Sequence, residues 1–286
     1  MNLTEFKRSD ASNNPHYLLL GHPVEHSLSP LMHNLALDHH GLEGQYHAVD
    51  LQSNELTDLA SYLNKDEFWG ANITIPYKQV IRQYLDQVDG NAQKIGAVNT
   101  IQKKDYMLKG YNTDYQGFRA PLEEFEFALE GSDAIIFGTG GAARAIVVSL
   151  IDFGVERIYL VSRNPSRISS FDDFSVVDVV SYHNWTSFVD EASLIVNATP
   201  LGMHPNTDES PVHEAEVQWL EDCICYDIVY NPLKTKFLHL AEQAGATTIG
   251  GLEMLIHQAA QSFTLWTGRS FPIRPVRDRL YDELAD

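Results

Sequence analysis

The chain has 286 residues, 44% of them hydrophobic, and sets 20 basic against 39 acidic side chains for a net charge of −19. That length suits two cores needing neither disulfides nor metals, and the composition excludes a disordered or membrane-embedded protein. So acidic a surface repels nucleic acid and anionic lipid, so neither is an expected partner, and any phosphate site has to be locally basic.

Residues 1–16 are polar and lack the apolar stretch of a secretory signal. No later run reaches bilayer length, so a soluble, cytoplasmic protein is expected. The apolar run 17–20 predicts the first strand, followed by a helix with Ser29 as N-cap, Pro30 at its first position and Gly41 past its end. Next come a strand over 45–51, a helix capped by Ser53 with Leu56, Leu59, Ala60 and Leu63 on one face, and a strand over 71–74. Residues 98–102 and 106–110, joined by Lys103-Lys104-Asp105, predict a hairpin. A second series starts at Ser132, with strands over 133–137, 157–161, 193–198 and 224–229. Two last helices, 251–266 and 275–284, have no strand after them and are expected to return to the first domain.

Strand and helix alternation of this kind predicts an α/β protein with mostly parallel sheets. The expected division is 1–113 with 250–286 as one domain and 114–249 as a Rossmann-like nucleotide domain, with a cleft between them and a short or helical connection near Asp114. Cys223 and Cys225 fall on one face of a strand-like run. They are too few for zinc and read as buried apolar residues in a reducing compartment. His33, His39, His40 and the other histidines lack ligand partners at helical or loop spacing and read as surface or capping residues, so no metal is expected.

The most informative segment is Gly138-Thr139-Gly140-Gly141-Ala142-Ala143, between the apolar run 134–137 and an Ala-rich helical stretch ending near Asp152. Small residues permit a tight turn and close backbone approach, and the N–H groups opening the helix attract a pyrophosphate. The next strand ends at Ser162-Arg163-Asn164, where an NAD site usually carries an acid for the ribose 2′-hydroxyl. Here Arg163 stands instead, Asn164-Pro165 reads as N-cap and first helical position, and Arg167 lies in the first turn. Two guanidinium groups and a helix N-terminus suit a 2′-phosphate, which points to NADP(H). Without the glycine turn the two arginines would be ordinary surface charges.

The first domain holds further candidates. Ser27 and Ser29 lie in Gly21-His22-Pro23-Val24-Glu25-His26-Ser27-Leu28-Ser29-Pro30, where local capping competes with ligand binding as an explanation. Thr74, Lys78, Asn99 and Asp114 follow in Asn72-Ile73-Thr74-Ile75-Pro76-Tyr77-Lys78, Gly96-Ala97-Val98-Asn99-Thr100 and Gly110-Tyr111-Asn112-Thr113-Asp114. Each alone reads as a solvated charge or turn former as readily as a catalytic group.

Together with Asn197-Ala198-Thr199-Pro200-Leu201-Gly202-Met203, Tyr230-Asn231-Pro232, Gly250-Gly251-Leu252-Glu253-Met254-Leu255, Gln258 and Trp266-Thr267-Gly268, these motifs in this order resemble the shikimate dehydrogenase family from about Tyr17 to the final helix. The resemblance implies reversible NADPH-dependent reduction of 3-dehydroshikimate to shikimate, a step toward chorismate and the aromatic amino acids. It implies Lys78 and Asp114 as the catalytic pair, and Ser27, Ser29, Thr74, Asn99, Tyr230 and Gln258 as substrate-binding. For the cofactor it implies Gly138, Thr139, Gly140, Gly141 and Ala142 at the pyrophosphate. Ser162, Arg163 and Arg167 fall around the adenosine phosphate, and Thr199, Ile228, Gly251 and Met254 toward the nicotinamide half. Family members often show Asn-Arg-Thr where this chain has Ser162-Arg163-Asn164, which keeps the arginine and the hydrogen-bonding groups. The implied protein is a monomer or homodimer. A quinate/shikimate dehydrogenase of broader substrate or NAD use shares the same scaffold, whereas a folate dehydrogenase does not suit the serine clamp. A protein that binds NADP(H) without catalysis is the third reading; loss of Lys78 or Asp114 would be its mark, and neither is lost.

Overall fold

His16–Gly21 (β1) is buried at every position, as a strand covered on both faces must be, and it anchors the first sheet of the computed structural model. The structure describes residues 1–285; residue 286, the last of the expected 250–286 segment, lies outside the described residues. Two compact units emerge, one of Met1–Gln116 with Ile256–Glu283 and a second covering Gly117–Leu255. The chain passes from one unit to the other inside the helices Asp114–Arg119 and Gly251–Thr267.

In the first unit β1 is joined by Gln45–Asp50 (β2), Phe68–Ile73 (β3), Gln87–Val88 (β4), Thr100–Lys104 (β5) and Met107–Tyr111 (β6). They form a sheet in the order β2-β1-β3-β5-β6-β4. β1 runs parallel to β2 and β3, while β5 is antiparallel to β3 and β6. Leu18, Leu20, Phe68, Ala71 and Ile101 meet Phe6, Leu59 and Tyr62 in its core. The hairpin is present, and its tip is tighter than expected: Asp105 and Tyr106 both have positive φ, 51° and 63°, as a two-residue turn matching the strand twist requires.

The second unit holds Asp133–Phe137 (β7), Arg157–Ser162 (β8), Val177–Ser181 (β9), Ala192–Asn197 (β10), Ile224–Asp227 (β11) and Thr247–Ile249 (β12). All its pairings are parallel, in the order β12-β11-β10-β7-β8-β9. Counted from β7, that is the doubly wound dinucleotide-binding arrangement, with its switch point between β7 and β10. Ile136, Leu160 and Val196 pack with Ile146, Val147 and Leu150 of the helix Ala143–Asp152 on one side. Ile135, Val161, Ile195 and Cys225 pack with Trp185 and Phe237 on the other.

Several local expectations are corrected. The polar N-terminus contains a helix, Leu3–Arg8, closed by a reciprocal cap between Asn2 and Glu5 and burying Leu3 and Phe6. Ser29 does not cap the following helix: Leu28 holds that position, and the Ser29 N–H donates to Ser27 Oγ at 3.2 Å. Gln52, bonded reciprocally with Glu55, replaces Ser53 as the cap of the next turn. After Asn164 there is one 3-10 turn, Pro165–Arg167, with no side-chain cap. The segment carries Ser166, Ser169, Ser170, Asp172 and Asp173, whose short polar side chains compete for the backbone and stop a helix from propagating. The helix N-terminus expected beside the ribose phosphate is therefore not formed.

Candidate active site

Lys78 is delivered by the segment leaving β3. Tyr77 anchors it, its N–H donating to Thr74 O at 3.0 Å and its hydroxyl to Leu51 O at 2.6 Å, while Val98 N–H donates to Lys78 O at 2.7 Å. With the backbone held on both sides, the ammonium meets Asp114 Oδ2 at 2.6 Å, the two side chains being only 15% and 9% exposed. The other carboxylate oxygen, Oδ1, accepts from Asn99 Nδ2 at 2.9 Å. Asn99 cannot be turned over, because its Oδ1 accepts the Thr113 N–H at 2.7 Å and a backbone N–H only donates. The amide therefore presents its NH2 to Asp114.

Behind Asn99 lies a group of buried hydroxyls and amides: Asn72, Thr100, Thr113 and Ser262. Gln258 belongs to the same group through Thr113 Oγ1, 3.5 Å from its Oε1, and through its carbonyl, which accepts from Ser262 Oγ at 3.0 Å. Ser27 and Ser29 form their own pair, Oγ to Oγ at 3.2 Å. Ser29 also faces the Tyr46 hydroxyl, which donates to Asn72 Oδ1 at 2.8 Å. Thr74 follows β3 directly, its N–H donating to Leu20 O at 2.9 Å. Of the candidates from the first domain, the structure thus joins Lys78, Asn99, Asp114 and Gln258 in one network and links Ser27 and Ser29 to it through Tyr46 and Asn72. Tyr230 is carried by the second unit, where burial raises its phenol pKa.

His33 is no surface residue. It is buried, stacked on Tyr46 with ring centroids 4.5 Å apart, and neither ring nitrogen has a hydrogen-bond partner. Burial lowers its pKa to about 3, offset only in part by the neighbouring Asn72, so it is neutral aromatic filling. His16 is buried too, between Asn14 O at 2.7 Å and the Tyr62 hydroxyl at 2.8 Å.

In the second unit the cofactor candidates gather where the parallel strands end, as the switch-point rule requires. Gly138 follows β7, Ser162 closes β8, Thr199 stands two residues past β10 and Ile228 directly follows β11. Gly138 has φ +108°, and a side chain there would lie 2.9 Å from Ala198 O. At Gly140 a side chain would meet nothing within 4 Å, so the turn keeps an open face above the helix Ala143–Asp152. The first N–H groups of such a helix find no partner within it, which is what an anionic group needs. Thr139, Gly141 and Ala142 complete this turn. Arg163 and Arg167 are exposed beside buried Ser162, whose Oγ accepts Asn164 N–H at 3.2 Å.

Thr199 and Ile228 sit on loops fixed from below by one buried pair. Asn197 Oδ1 accepts both Thr199 N–H at 3.0 Å and Thr199 Oγ1–H at 2.6 Å, while its Nδ2 donates to Asp227 Oδ1 at 3.0 Å. Asp227 also accepts from Val229 N–H at 2.9 Å and Thr235 Oγ1 at 2.5 Å. Burial outweighs these bonds and raises its pKa to about 6. Gly251 opens its helix against Ile228 O, 2.4 Å from where a Cβ would stand, so only glycine fits. Met254, one turn on, packs into the core of the second unit and is 7% exposed.

Sequence reasoning missed Thr100, Thr113 and Ser262 as parts of the site. The available signals were Thr100 and Thr113 flanking named residues, and Ser262 lying four residues from Gln258 on one helix face. Among the described residues no group of three His, Cys, Asp or Glu side chains could hold a metal ion, and no helix is long and apolar enough to cross a membrane.

Comparison with known proteins follows the same outline. The family described as the shikimate dehydrogenase substrate binding domain matches residues 19–101, and the shikimate 5'-dehydrogenase C-terminal domain matches residues 251–281. A protein of Moorella thermoacetica named shikimate dehydrogenase (NADP(+)) is 44% identical over 276 residues, covering 93% of this chain and 92% of the relative. Its counterpart in Salinibacter ruber is 41% identical over 271 residues, covering 92% and 95%. A crystal structure of shikimate 5-dehydrogenase from Thermus thermophilus in complex with NADP(H) and shikimate superposes with a TM-score of 0.81 at 36% identity, covering 92% of this chain and 97% of that one.

Proposed function

The chain belongs to the shikimate dehydrogenase family, and we propose that it interconverts 3-dehydroshikimate and shikimate with NADP(H), on the route to chorismate and the aromatic amino acids. The observation that carries this reading is the Lys78–Asp114 pair at 2.6 Å, with the second carboxylate oxygen bonded to Asn99.

The cofactor, when bound, supplies or takes the hydride at the carbon whose oxygen changes between ketone and hydroxyl. Lys78 does the matching proton work: its ammonium hydrogen-bonds the carbonyl oxygen, stabilises the charge developing there and protonates it, and in the reverse direction its amine accepts that proton. Asp114 keeps the ammonium aimed and accepts from a substrate hydroxyl. Ser27 and Ser29 bind the substrate carboxylate, and Thr74, Asn99, Gln258 and Tyr230 meet its hydroxyls and ring.

Residues 138–142 cradle the pyrophosphate, Ser162, Arg163 and Arg167 surround the adenosine phosphate, and Thr199, Ile228 and Gly251 bound the nicotinamide half. Met254 supports that region mainly by packing. On this assignment 1–113 with 250–286 is the substrate and catalytic part, and 114–249 the NADP part. The protein works in the cytoplasm on a small-molecule substrate, as a monomer or homodimer, without nucleic-acid or membrane partners.

The test is kcat/KM for shikimate and for quinate with NADP+ and with NAD+, followed by NAD(P)H absorbance. Shikimate with NADP+ gives the highest value. A preference for quinate, or equal use of NAD+, contradicts the assignment and favours the broader quinate/shikimate enzyme.

A further inference from the structure

We propose that the hydroxyls of Thr100 and Ser262 are positioning groups for the Lys78–Asp114 pair and act on it through Asn99; this rests on the catalytic reading just given. Asp114 is useful only if its carboxylate keeps one orientation, with Oδ2 on Lys78 and Oδ1 on Asn99. The Asn99 amide therefore has to stay fixed.

Its oxygen has the Thr113 N–H at 2.7 Å, the Thr100 hydroxyl at 3.0 Å and, farther off at 3.2 Å, the Thr113 hydroxyl. Thr100 has a single proton and three oxygens within reach, Asn99 Oδ1, Ser262 Oγ at 2.8 Å and Thr113 Oγ1 at 3.2 Å. What directs that proton to Asn99 is the bonding of the rest of the group.

Asn72 Nδ2 donates to Thr100 Oγ1 and to Ser262 Oγ, both at 3.0 Å, and its Oδ1 is occupied by the Tyr46 hydroxyl. Ser262 spends its own proton on Gln258 O at 3.0 Å, which leaves its oxygen to accept from Asn72 and from the Thr113 hydroxyl at 3.1 Å. Thr113 Oγ1 in turn accepts from Asn99 Nδ2 at 3.0 Å. In this assignment every proton has one acceptor, and donation runs in one direction from Tyr46 through Asn72 and Thr100 to Asn99 and on to the carboxylate.

All of these side chains except that of Lys78 are buried, and Thr100 and Ser262 are completely so. No water replaces a lost bond at such a site, so deletion of one hydroxyl is transmitted along the chain of donors. Ser262 comes from the helix that also carries Gln258, so one turn of that helix holds a substrate-binding group and a support for the catalytic pair. A hydroxyl that merely filled space would affect stability alone.

Three variants separate the two roles. Thr100→Val keeps the shape and removes the hydroxyl, Thr100→Ser restores the hydroxyl without the methyl, and Ser262→Ala removes the second group without adding bulk. Steady-state kcat and KM with shikimate and NADP+ are measured together with the thermal midpoint of each variant. For Thr100→Val, kcat falls on the order of 10-fold, more than KM rises. Thr100→Ser recovers most of kcat. Ser262→Ala moves both quantities in the same direction as Thr100→Val, and it answers the question if the valine variant does not fold.

Wild-type kcat in Thr100→Val and Ser262→Ala, with only the thermal midpoint lowered, overturns the inference and leaves the enzymatic reading standing. Thr100→Ser no better than Thr100→Val also overturns it. A wild-type protein that does not oxidise shikimate removes the functional reading, and this inference with it.

Discussion

Replacing Arg163 by alanine tests the cofactor assignment in isolation from the chemistry. Arg163 is exposed, next to buried Ser162 and followed by a single 3-10 turn rather than a helix. No helix macrodipole adds to the site, so on the proposed assignment discrimination for the 2′-phosphate rests on the guanidinium groups of Arg163 and Arg167. A charge-assisted bond to a phosphate contributes about 1.5–3 kcal/mol, and solvent screening at an exposed position brings this to about 1–2 kcal/mol. The KM for NADP+ in Arg163→Ala therefore rises about 5- to 30-fold, and that for NAD+, which lacks the phosphate, stays within about twofold. The assay is initial rate at saturating shikimate with each nucleotide, at low and raised salt. Raising the salt narrows the gap between wild type and variant, because the interaction is screened. Equal losses with NADP+ and NAD+, or no loss with either, would refute the phosphate-clamp argument.

Two further predictions concern stability. Asp227 has a folded pKa of about 6 against an ordinary 3.8, so folding takes up a proton between these values. The stability it contributes is complete below the unfolded value and is lost as pH rises through the folded one, on the order of 3 kcal/mol in all. Urea unfolding across that window should show wild type losing stability relative to Asp227→Asn, and a constant difference between the two would contradict it. Tyr106 lies 78% exposed at φ 63°, where glycine carries no steric penalty. Tyr106→Gly should gain about 1 kcal/mol by urea midpoint, and a loss would show that the tyrosine ring contributes more than its backbone costs.

Much of this architecture is written locally. The glycine turn after β7 and the hairpin between β5 and β6 depend on a few neighbouring residues, and both were legible. β9 was not: Val177–Ser181 lies at the sheet edge, with Asp178 and Ser181 interrupting its apolar run. β4 and β12, of 2 and 3 residues, are too short for any periodicity to register. Asn164-Pro165 carried a helix-start signal that the serines and aspartates after it overrode.

The site divides the same way. Lys78, Asn99 and Asp114 sit in motifs that announce themselves, but the partner that fixes Asn99 is a backbone N–H, and the hydroxyls behind it are single residues as far apart as Thr100 and Ser262. His33 misled for the opposite reason: a lone histidine beside Asn34 looks solvated until the fold stacks it on Tyr46. Burial decides these cases, and burial depends on contacts distant in sequence.

The most direct measurement is the turnover of Lys78→Ala with shikimate and NADP+, alongside NADPH binding by fluorescence titration. Loss of the general acid–base group lowers kcat by a factor on the order of 10²–10⁴ and leaves NADPH affinity nearly unchanged. Near-normal turnover in that variant would contradict that role.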